Sequence, residues 1–231
     1  MTTTLVLGAG GATGRKVVEK LVAKQGKGDQ VLFGVRSPDK YKDAISSIGG
    51  NVKASKQDVS DPEGLDFAGV DSVVFACSTS TYRGAHSVDY LGVVNSIAAS
   101  NKSSVKHFVL ISSRLVDPVN RWHPIRIILN LVKWKLMDHK FSGENALKSS
   151  SLSYTIIRPG GLTDSTSDLY IEAVPAEGEL KGTSISRSEV ADVVISSLCN
   201  SKAFGKIIEV VSREREEGEK GGGDRLKEIF V

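Results

Sequence analysis

The stretch Gly8-Ala9-Gly10-Gly11-Ala12-Thr13-Gly14 follows a short apolar run, residues 4–7, and precedes a segment whose apolar residues recur at helical spacing. A buried strand, a glycine-rich turn and an amphipathic helix in this order are typical of the first unit of a dinucleotide-binding sheet. Glycines at positions 8, 11 and 14 allow a tight turn, close approach of a pyrophosphate to the backbone, and close packing of the helix on the strand. The first helical N–H groups are free to bind phosphate. The stretch therefore predicts phosphate binding by Gly8, Gly11, Ala12, Thr13 and Gly14.

Further along the chain, apolar runs alternate with helical patterns, which indicates a parallel sheet with right-handed crossover connections. The predicted strands cover residues 4–7, 31–35, 52–57, 72–76, 108–111, 154–157 and 206–211, with a further short strand near 179–181. Predicted helices follow the glycine stretch and cover residues 39–48, 86–100 and 188–198, and the segment up to Ser149 is mainly helical. In the helix over 86–100, the residues expected to face the core are Val88, Leu91, Val94, Ile97 and Ala98.

These elements predict an α/β protein with a Rossmann-type doubly wound parallel sheet of about seven strands and a small C-terminal substrate lobe. We expect a single NAD(P)-binding domain over residues 1–231, with its core at about 3–158 and the lobe and tail at about 159–231. The charged, glycine-rich residues 213–224 are expected to form a solvated loop, followed by a last helical turn over 225–230.

Composition excludes several classes of function. The chain has 231 residues and a formal net charge of only +3, so its composition gives no support for nucleic-acid binding. Cys77 and Cys199 lie too far apart for a metal motif, so no metal site is expected. No apolar run reaches the ~18 residues that a transmembrane helix needs. Because an apolar strand follows Met1 directly, we expect a cytoplasmic protein, or one of an organellar stroma or matrix if the chain is a trimmed precursor.

The end of the second predicted strand indicates which dinucleotide is bound. NAD-binding sheets usually place Asp or Glu there for the ribose 2′-OH, whereas this chain has Arg36 followed by Ser37, and its next carboxylate is Asp39. The guanidinium group of Arg can bind a 2′-phosphate with two hydrogen bonds, and Ser37 and Arg15 can add to it. The sequence therefore predicts NADP(H) as the cofactor.

Two further strand ends fit the same site. Asp58 and Val59 follow the third strand, where a carboxylate can accept a hydrogen bond from the adenine amino group and Val59 can pack on the ring. Ala76, Cys77 and Ser78 end the fourth strand, where small residues let the ribose lie close to the backbone. We predict that all five residues contact the cofactor.

Several motifs together resemble the atypical short-chain dehydrogenase/reductases, and most closely their NmrA-like NAD(P)-binding group. The motifs are Gly-x-x-Gly-x-x-Gly at 8–14, Val-Arg-Ser-Pro at 35–38, Gln-Asp-Val at 57–59, Ile-Ser-Ser at 111–113 and Tyr-Thr-Ile-Ile-Arg-Pro-Gly-Gly-Leu at 154–162. The group that includes biliverdin reductase B, a flavin reductase, is a more distant neighbour. The resemblance extends from Leu5 to about Val211. It implies NADP(H) at the carboxyl ends of about seven strands.

The resemblance also implies a catalytic site, with one departure from the family pattern. Typical members pair a Tyr with a Lys four residues later, where the Tyr is the general acid or base and the Lys holds the nicotinamide ribose. The matching Lys is Lys140, but Leu136 replaces the Tyr. Ser112 at the end of the fifth strand is the expected substrate contact, so Ser112 and Lys140 are the candidate catalytic residues. A proton could come from solvent or from a side chain, for which the candidates are His139, His123 and Tyr82.

Two other segments carry expectations of their own. Pro159, Gly160 and Gly161 are predicted to pass near the nicotinamide ring. Residues 121–136 mix many apolar residues with cations and two tryptophans. That segment could cap the pocket, form an oligomer interface, bind a protein partner, touch an anionic membrane surface, or pack onto the sheet, which we take as the main expectation.

The sequence thus favours an NADP(H)-dependent oxidoreductase that transfers a hydride to a small conjugated acceptor, such as a flavin, a quinone or an enone. The alternative is a non-catalytic NADP(H)-binding redox sensor or an assembly or scaffold protein of the NmrA-like type. An isomerase or dehydratase that uses bound cofactor without net redox change is a third possibility. The oligomeric state is left open.

Overall fold

The alternation of strands and helices is confirmed in a computed structural model, which describes residues 2–165, 169–176, 178, 180–214, 216 and 229–230. The strands are β1 (Thr3–Leu7), β2 (Gln30–Val35), β3 (Val52–Lys56), β4 (Ser72–Phe75), β5 (His107–Ile111), β6 (Tyr154–Pro159), β7 (Gly161–Thr163), β8 (Tyr170–Pro175), β9 (Ser184–Ser186) and β10 (Lys206–Arg213). The α-helices are α1 (Ala12–Ala23), α2 (Lys42–Ile48), α3 (Leu91–Lys102), α4 (Pro124–Val132), α5 (Leu136–Lys148) and α6 (Arg187–Leu198).

Seven strands form the parallel sheet, in the order β3-β2-β1-β4-β5-β6-β10. The near-continuous apolar runs of β1, β4 and β5 are buried, as expected for central strands of a sheet covered on both faces. The strand order reverses between β1 and β4, and ligands of open α/β sheets bind at such a reversal, beyond the carboxyl ends of the strands. The predicted doubly wound sheet of about seven strands is therefore confirmed.

Helices cover both faces of the sheet. On one face α1 and α6 pack together, and their side chains Val17, Val18, Val190 and Val194 join a core with Val6 of β1. On the other face α3 and α5 supply Val93, Ile97 and Leu147 to a second core cluster. The two layers leave the carboxyl ends of the strands uncovered.

The residues after β6 form a small lobe on the sheet. Strand β10 lies parallel to β6 and antiparallel to β8, while the short β7 and β9 pair with each other and extend the sheet. The prediction of a strand near 179–181 is wrong, because Leu180 and Lys181 are not in a strand. The strands that pair with β10 in the lobe are β8 and β9. The predictions for 213–224 and 225–230 fall largely outside the described residues.

Two predictions about helix faces need correction, although Val88 and Ile97 of the helix over 86–100 do join the core as predicted. The predicted helix over 86–100 begins with a π-helical turn, His86–Tyr90, whose extra residue rotates the rest of the helix about its axis. Consequently Val93 is buried, Val94 is only half-buried, and Ala98 is exposed. The second case is the apolar segment 121–136, which does not pack onto the sheet: Trp122 is 77% exposed and Leu131 is 63% exposed.

Candidate functional site

The carboxyl ends of β1 to β4 enclose a cleft of about 360 Å³ at the reversal of strand order. Nine of the predicted cofactor-binding residues line it: Gly8, Gly11, Arg36, Ser37, Asp58, Val59, Ala76, Cys77 and Ser78. The described lining also contains residues that sequence reasoning missed, among them Gly10, Lys40, Tyr41, Gln57 and the stretch from Thr79 to Thr81.

The glycine turn at the floor of this cleft fits a pyrophosphate. Gly8 has φ +78°, and a Cβ on it would lie 2.9 Å from the backbone of Ala76 and Cys77. A Cβ on Gly14 would lie 2.3 Å from the carbonyl oxygen of Gly8, so this glycine lets α1 pack directly behind the turn. No described side chain caps α1 at Gly11, and its first turn carries no acidic residue. The first helical N–H groups, at Ala12 and Thr13, therefore remain available for an anion.

Positive charge lies at the end of the cleft nearest β2. Arg36 and Lys40 are both exposed and line the cleft, and neither has an ion-pair partner among the described residues. Asp39, the next carboxylate along the chain from Arg36, is paired elsewhere, because its Oδ1 lies 2.7 Å from Lys42 Nζ. Ser37 adds a hydroxyl group beside Arg36. Two free cations at this strand end suit a 2′-phosphate better than a 2′-hydroxyl.

The ends of β3 and β4 form the opposite walls. Asp58 Oδ1 accepts hydrogen bonds from the backbone N–H (3.0 Å) and hydroxyl (2.6 Å) of Ser60, which fixes the turn after β3. The side chain of Val59 is wedged against α3, because a Cβ on Gly92 would lie 2.9 Å from Val59 Cγ2. Burial, reinforced by the negative charge of Asp89, raises the pKa of Cys77 to about 12, so this thiol is neutral at physiological pH. The β4 wall is therefore small and uncharged.

The candidate catalytic residues lie beside a second space rather than in the main cleft. Ser112 and Lys140 both border a void of about 10 Å³, together with Asp89, Phe75 and Val93. Lys140 Nζ lies 2.9 Å from Asp89 Oδ1, and Asp89 Oδ2 accepts a 3.0 Å hydrogen bond from the backbone N–H of Thr79. Thr79 lines the main cleft, so Asp89 connects the two spaces. The buried hydroxyl of Ser112 has no hydrogen-bond partner within the described part of the chain.

Sequence reasoning missed Asp89, and a weak signal could have found it. Asp89 lies four residues after Ala85 and directly before Tyr90, within the π-helical turn. Such turns are frequent at functional sites. Asp89 is 2% exposed, which for a carboxylate requires a charged or hydrogen-bonding partner.

The remaining candidate proton donors lie apart from this void. Leu136 is buried, and its side chain has no ionisable group. Burial and the neighbouring His86 lower the pKa of His139, whose ring lies 5.2 Å from that of His86. His123 is exposed and accepts a hydrogen bond from the N–H of Ile125 at the start of α4, and Tyr82 is 49% exposed. None of these three side chains belongs to the described lining of either space.

Pro159, Gly160 and Gly161 connect the sheet to the lobe. The N–H of Gly160 donates to the carbonyl of Val210 at 2.9 Å, and that of Gly161 to the carbonyl of Thr183 at 2.9 Å. A Cβ on Gly160 would lie 2.6 Å from Thr183 O, so the lobe approaches the sheet closely here. These residues are not in the described lining of the cleft. Their predicted contact with the nicotinamide remains a prediction.

A buried ionic network lies beneath this junction. Arg158 donates two hydrogen bonds to Glu144, with Nε–Oε1 at 3.1 Å and Nη2–Oε2 at 2.7 Å, and its Nη1 lies 3.5 Å from Glu209 Oε1. Burial alone would lower the pKa of Arg158, but its bonds to Glu144 hold that pKa above its usual range. Burial raises the pKa of Glu209, against the opposing effect of Arg158 and Arg114. The network fixes β6, β10 and α5 relative to one another.

Several curated proteins are similar to this chain over most of its length. An uncharacterized chloroplastic protein of Arabidopsis thaliana is 33% identical over 218 residues, which cover 90% of this chain and 76% of that protein. Sanguinarine reductase of Eschscholzia californica is 24% identical over 259 residues, covering 94% of this chain and 91% of that enzyme. Three further plant relatives, each named Protein TIC 62, are longer, and the chain spans 35%, 45% and 42% of their lengths.

The fold has close structural counterparts. A structure from Bacillus halodurans, described as a candidate NAD-dependent epimerase/dehydratase, superposes with a TM-score of 0.80 at 26% identity, covering 99% of this chain and 100% of that one. A family model described as NAD(P)H-binding matches residues 8–201, which include the glycine turn, Arg36 and Lys140. The predicted nicotinamide dinucleotide cofactor and the family resemblance are thereby confirmed, and the chain belongs to the NAD(P)H-binding family.

Proposed function

We propose that this chain is an NADP(H)-dependent reductase that transfers a hydride to a small conjugated acceptor, such as a flavin, a quinone or an enone. The observation that carries the proposal is the cleft at the strand reversal. The N-terminus of α1 has no side-chain cap there, and Arg36 and Lys40 have no ion-pair partner among the described residues. A relative that matches nearly the whole chain carries the name of a reductase.

The main cleft and the neighbouring void, which Ser112 and Lys140 border, each have a task in this proposal. The N–H groups at the start of α1 bind the pyrophosphate, and Gly8 and Gly11 allow it to approach the backbone. Arg36, with Ser37 and Lys40, binds the 2′-phosphate. Lys140 holds the nicotinamide ribose, and Ser112 orients the acceptor by its free hydroxyl. When bound, the reduced nicotinamide supplies the hydride.

Leu136 restricts the acceptors. With no ionisable group at this position, the chain offers no Tyr there to protonate a carbonyl oxygen. Reduced flavins and quinones take up their protons from solvent, so their reduction needs only correct placement of the two reactants. We therefore place conjugated acceptors ahead of simple ketones.

The domain limits and cellular location remain proposals. We propose that residues 1–231 act as one unit, in which the lobe after Pro159 faces the acceptor. Because the plant relatives that match about 90% of this chain are named as chloroplastic, we propose the organellar of the two expected locations.

The first test is a calorimetric titration with NADPH and with NADH, on wild type, Arg36→Ala and the matched control Lys24→Ala. A charge-assisted contact worth ~1.5–3 kcal/mol predicts about ten- to hundredfold tighter binding of NADPH than of NADH. Arg36→Ala should bring NADPH affinity down close to that of NADH, whereas Lys24→Ala, at the far end of α1, should leave both affinities unchanged. Equal affinities of wild type for the two nucleotides would contradict the cofactor assignment.

The second test follows NADPH oxidation with flavins, quinones, enones and simple ketones. Ser112→Ala is a clean probe, because the hydroxyl has no partner among the described residues and its loss should not affect folding. We expect turnover with a conjugated acceptor and a loss of activity in Ser112→Ala. Tight NADPH binding without turnover on any acceptor would favour the non-catalytic sensor, an alternative supported by the absence of the Tyr at position 136.

A further inference from the structure

Helix α4 has its polar and apolar sides reversed. Its buried residue is Arg126, whose guanidinium group donates to the carbonyls of Leu115, Val116 and Asp117 and forms a 2.6 Å contact with Asp138. The exposed side is apolar and is called here the α4 face: Trp122, Ile125, Ile128, Leu131, Val132 and Trp134. A buried ionic anchor beneath a solvated apolar stripe is the opposite of an ordinary surface helix.

Packing contacts fix this orientation of α4. Leu129, on the inner side of α4, packs with Leu136 and Met137 of α5. The Asn130 side chain accepts a 2.8 Å hydrogen bond from the N–H of Met137. Rotation of α4 to bury its apolar stripe would break these contacts and leave Arg126 without its partners. The apolar side chains are therefore held in solvent by the fold.

Each end of the α4 face carries a tryptophan beside a cation. The guanidinium carbon of Arg121 lies 5.9 Å from the ring centroid of Trp122, and Lys135 Nζ lies 5.7 Å from that of Trp134. No Asp or Glu occurs in residues 118–137. The nearest following carboxylate, Asp138, is bonded to Arg126. The face thus combines apolar surface with positive charge only.

We propose that the α4 face binds the surface of an anionic lipid bilayer. A short helix that lies in the interface buries its apolar side at the headgroup boundary, with Trp at headgroup level and Lys and Arg on the anionic lipids. None of the described helices is long and apolar enough to cross a membrane. Positive charge at both ends of the apolar stripe, with no carboxylate in residues 118–137, complements an anionic lipid surface.

The face is joined to the rim of the cofactor cleft. Lys133 Nζ donates to the carbonyl of Thr79, and the N–H of Trp134 donates to the carbonyl of Tyr82 at 2.8 Å. Thr79 and Thr81 line the cleft. Lipid contact at α4 therefore lies next to the loop that closes one side of the site.

Vesicle sedimentation tests the proposal with the full chain. We expect binding to vesicles of equimolar phosphatidylglycerol and phosphatidylcholine, weaker binding to phosphatidylcholine alone, and weakening with salt. Ile128→Ser/Leu131→Ser should lower the partition coefficient at least ~tenfold, because the two apolar side chains that would be buried in the bilayer are removed. Arg121→Glu/Lys135→Glu should lower it ~tenfold or more and abolish the preference for anionic lipid. The control Lys24→Glu/Lys27→Glu makes the same change in charge away from α4 and should bind like wild type.

Tryptophan emission provides a second readout, because the chain's two tryptophans both belong to the α4 face. Binding should shift the emission to shorter wavelength, and brominated lipids should quench it. Failure of wild type to bind anionic vesicles would overturn the proposal. So would vesicle binding that Ile128→Ser/Leu131→Ser leaves unchanged. A dimer in sedimentation velocity that these two substitutions dissociate, without vesicle binding, would assign the face to a second copy of the chain instead.

Discussion

Lys140 Nζ and Asp89 Oδ1 form an ion pair at 2.9 Å in which the lysine side chain is 12% exposed and the aspartate side chain is fully buried. The pair joins α5 to the π-helical turn before α3. It holds the lysine that the family resemblance places at the nicotinamide ribose.

Asp89→Asn removes the counter-charge of Lys140 and leaves an unpaired ammonium group in a buried position. We expect a loss of ~3–5 kcal/mol in the free energy of unfolding, measured by urea denaturation. The control Asp192→Asn breaks the more exposed pair with Lys20 (2.6 Å) and should cost at most ~1 kcal/mol. Equal losses in the two variants would mean that the buried pair contributes no more than a surface contact.

Lys40→Ala should lower the affinity for NADPH without affecting that for NADH. An exposed contact of ~0.3–1 kcal/mol corresponds to a loss of about two- to fivefold, and the loss should shrink with added salt. Calorimetry of Lys40→Ala beside Lys53→Ala, an exposed lysine outside the described cleft lining, separates a local contact from a change in net charge. An equal loss for both nucleotides would place Lys40 away from the 2′-phosphate.

Arg158→Met breaks the bidentate bond to Glu144 and leaves that carboxylate buried without its cation. We expect ~3–5 kcal/mol of destabilisation in urea unfolding, of which Glu144→Gln/Arg158→Met should recover a part. Arg187→Met, which breaks a pair with the exposed Asp164, serves as the control. A double variant less stable than Arg158→Met would contradict the role of the unpaired charge.

His107 should make stability depend on pH below neutrality. Burial lowers its pKa to about 4, and the ring Nε2 lies 2.9 Å from the hydroxyl of Thr155, which itself donates to the carbonyl of Ala203. The folded state therefore holds His107 neutral. The contribution of the neutral ring to the free energy of unfolding is fully present above the unfolded pKa of 6.5, and it is lost as pH falls from about 6.5 to about 4. The loss amounts to ~3 kcal/mol.

Thermal unfolding of wild type and His107→Gln over this pH range tests the effect. The amide of Gln can still donate to Thr155 but does not titrate. The variant should therefore lose less stability than wild type between pH 6.5 and 4, and parallel curves for the two proteins would exclude His107 as the cause.

Sequence reasoning succeeded where a pattern is local. The glycine stretch at 8–14 and the apolar strands predicted the doubly wound parallel sheet, because buried parallel strands have an unmistakable composition. Arg36 was found for the same reason, since it directly follows a strand.

Residues brought in by irregular backbone were missed. Lys40 and Tyr41 reach the cleft through a short 3₁₀ turn, Pro38–Tyr41, whose return path no periodicity encodes. Asp89 turns inward because the π-helical turn adds a residue to the helical repeat. The apolar spacing of α4 predicted burial, but hydrophobic periodicity identifies only which side chains share a face and not what covers that face.

The position of β1 in the middle of the sheet has a consequence during synthesis on the ribosome. β1 pairs with β2 on one side and with β4 on the other, and β4 ends 40 residues after β2, at Phe75 rather than Val35. At ~5–20 residues per second, the edge of β1 that pairs with β4 stays unpaired for about 2–8 s, and Gly8 lacks its contact with Ala76 for the same time. The nascent chain thus exposes one edge of an apolar strand until β4 has emerged to cover it.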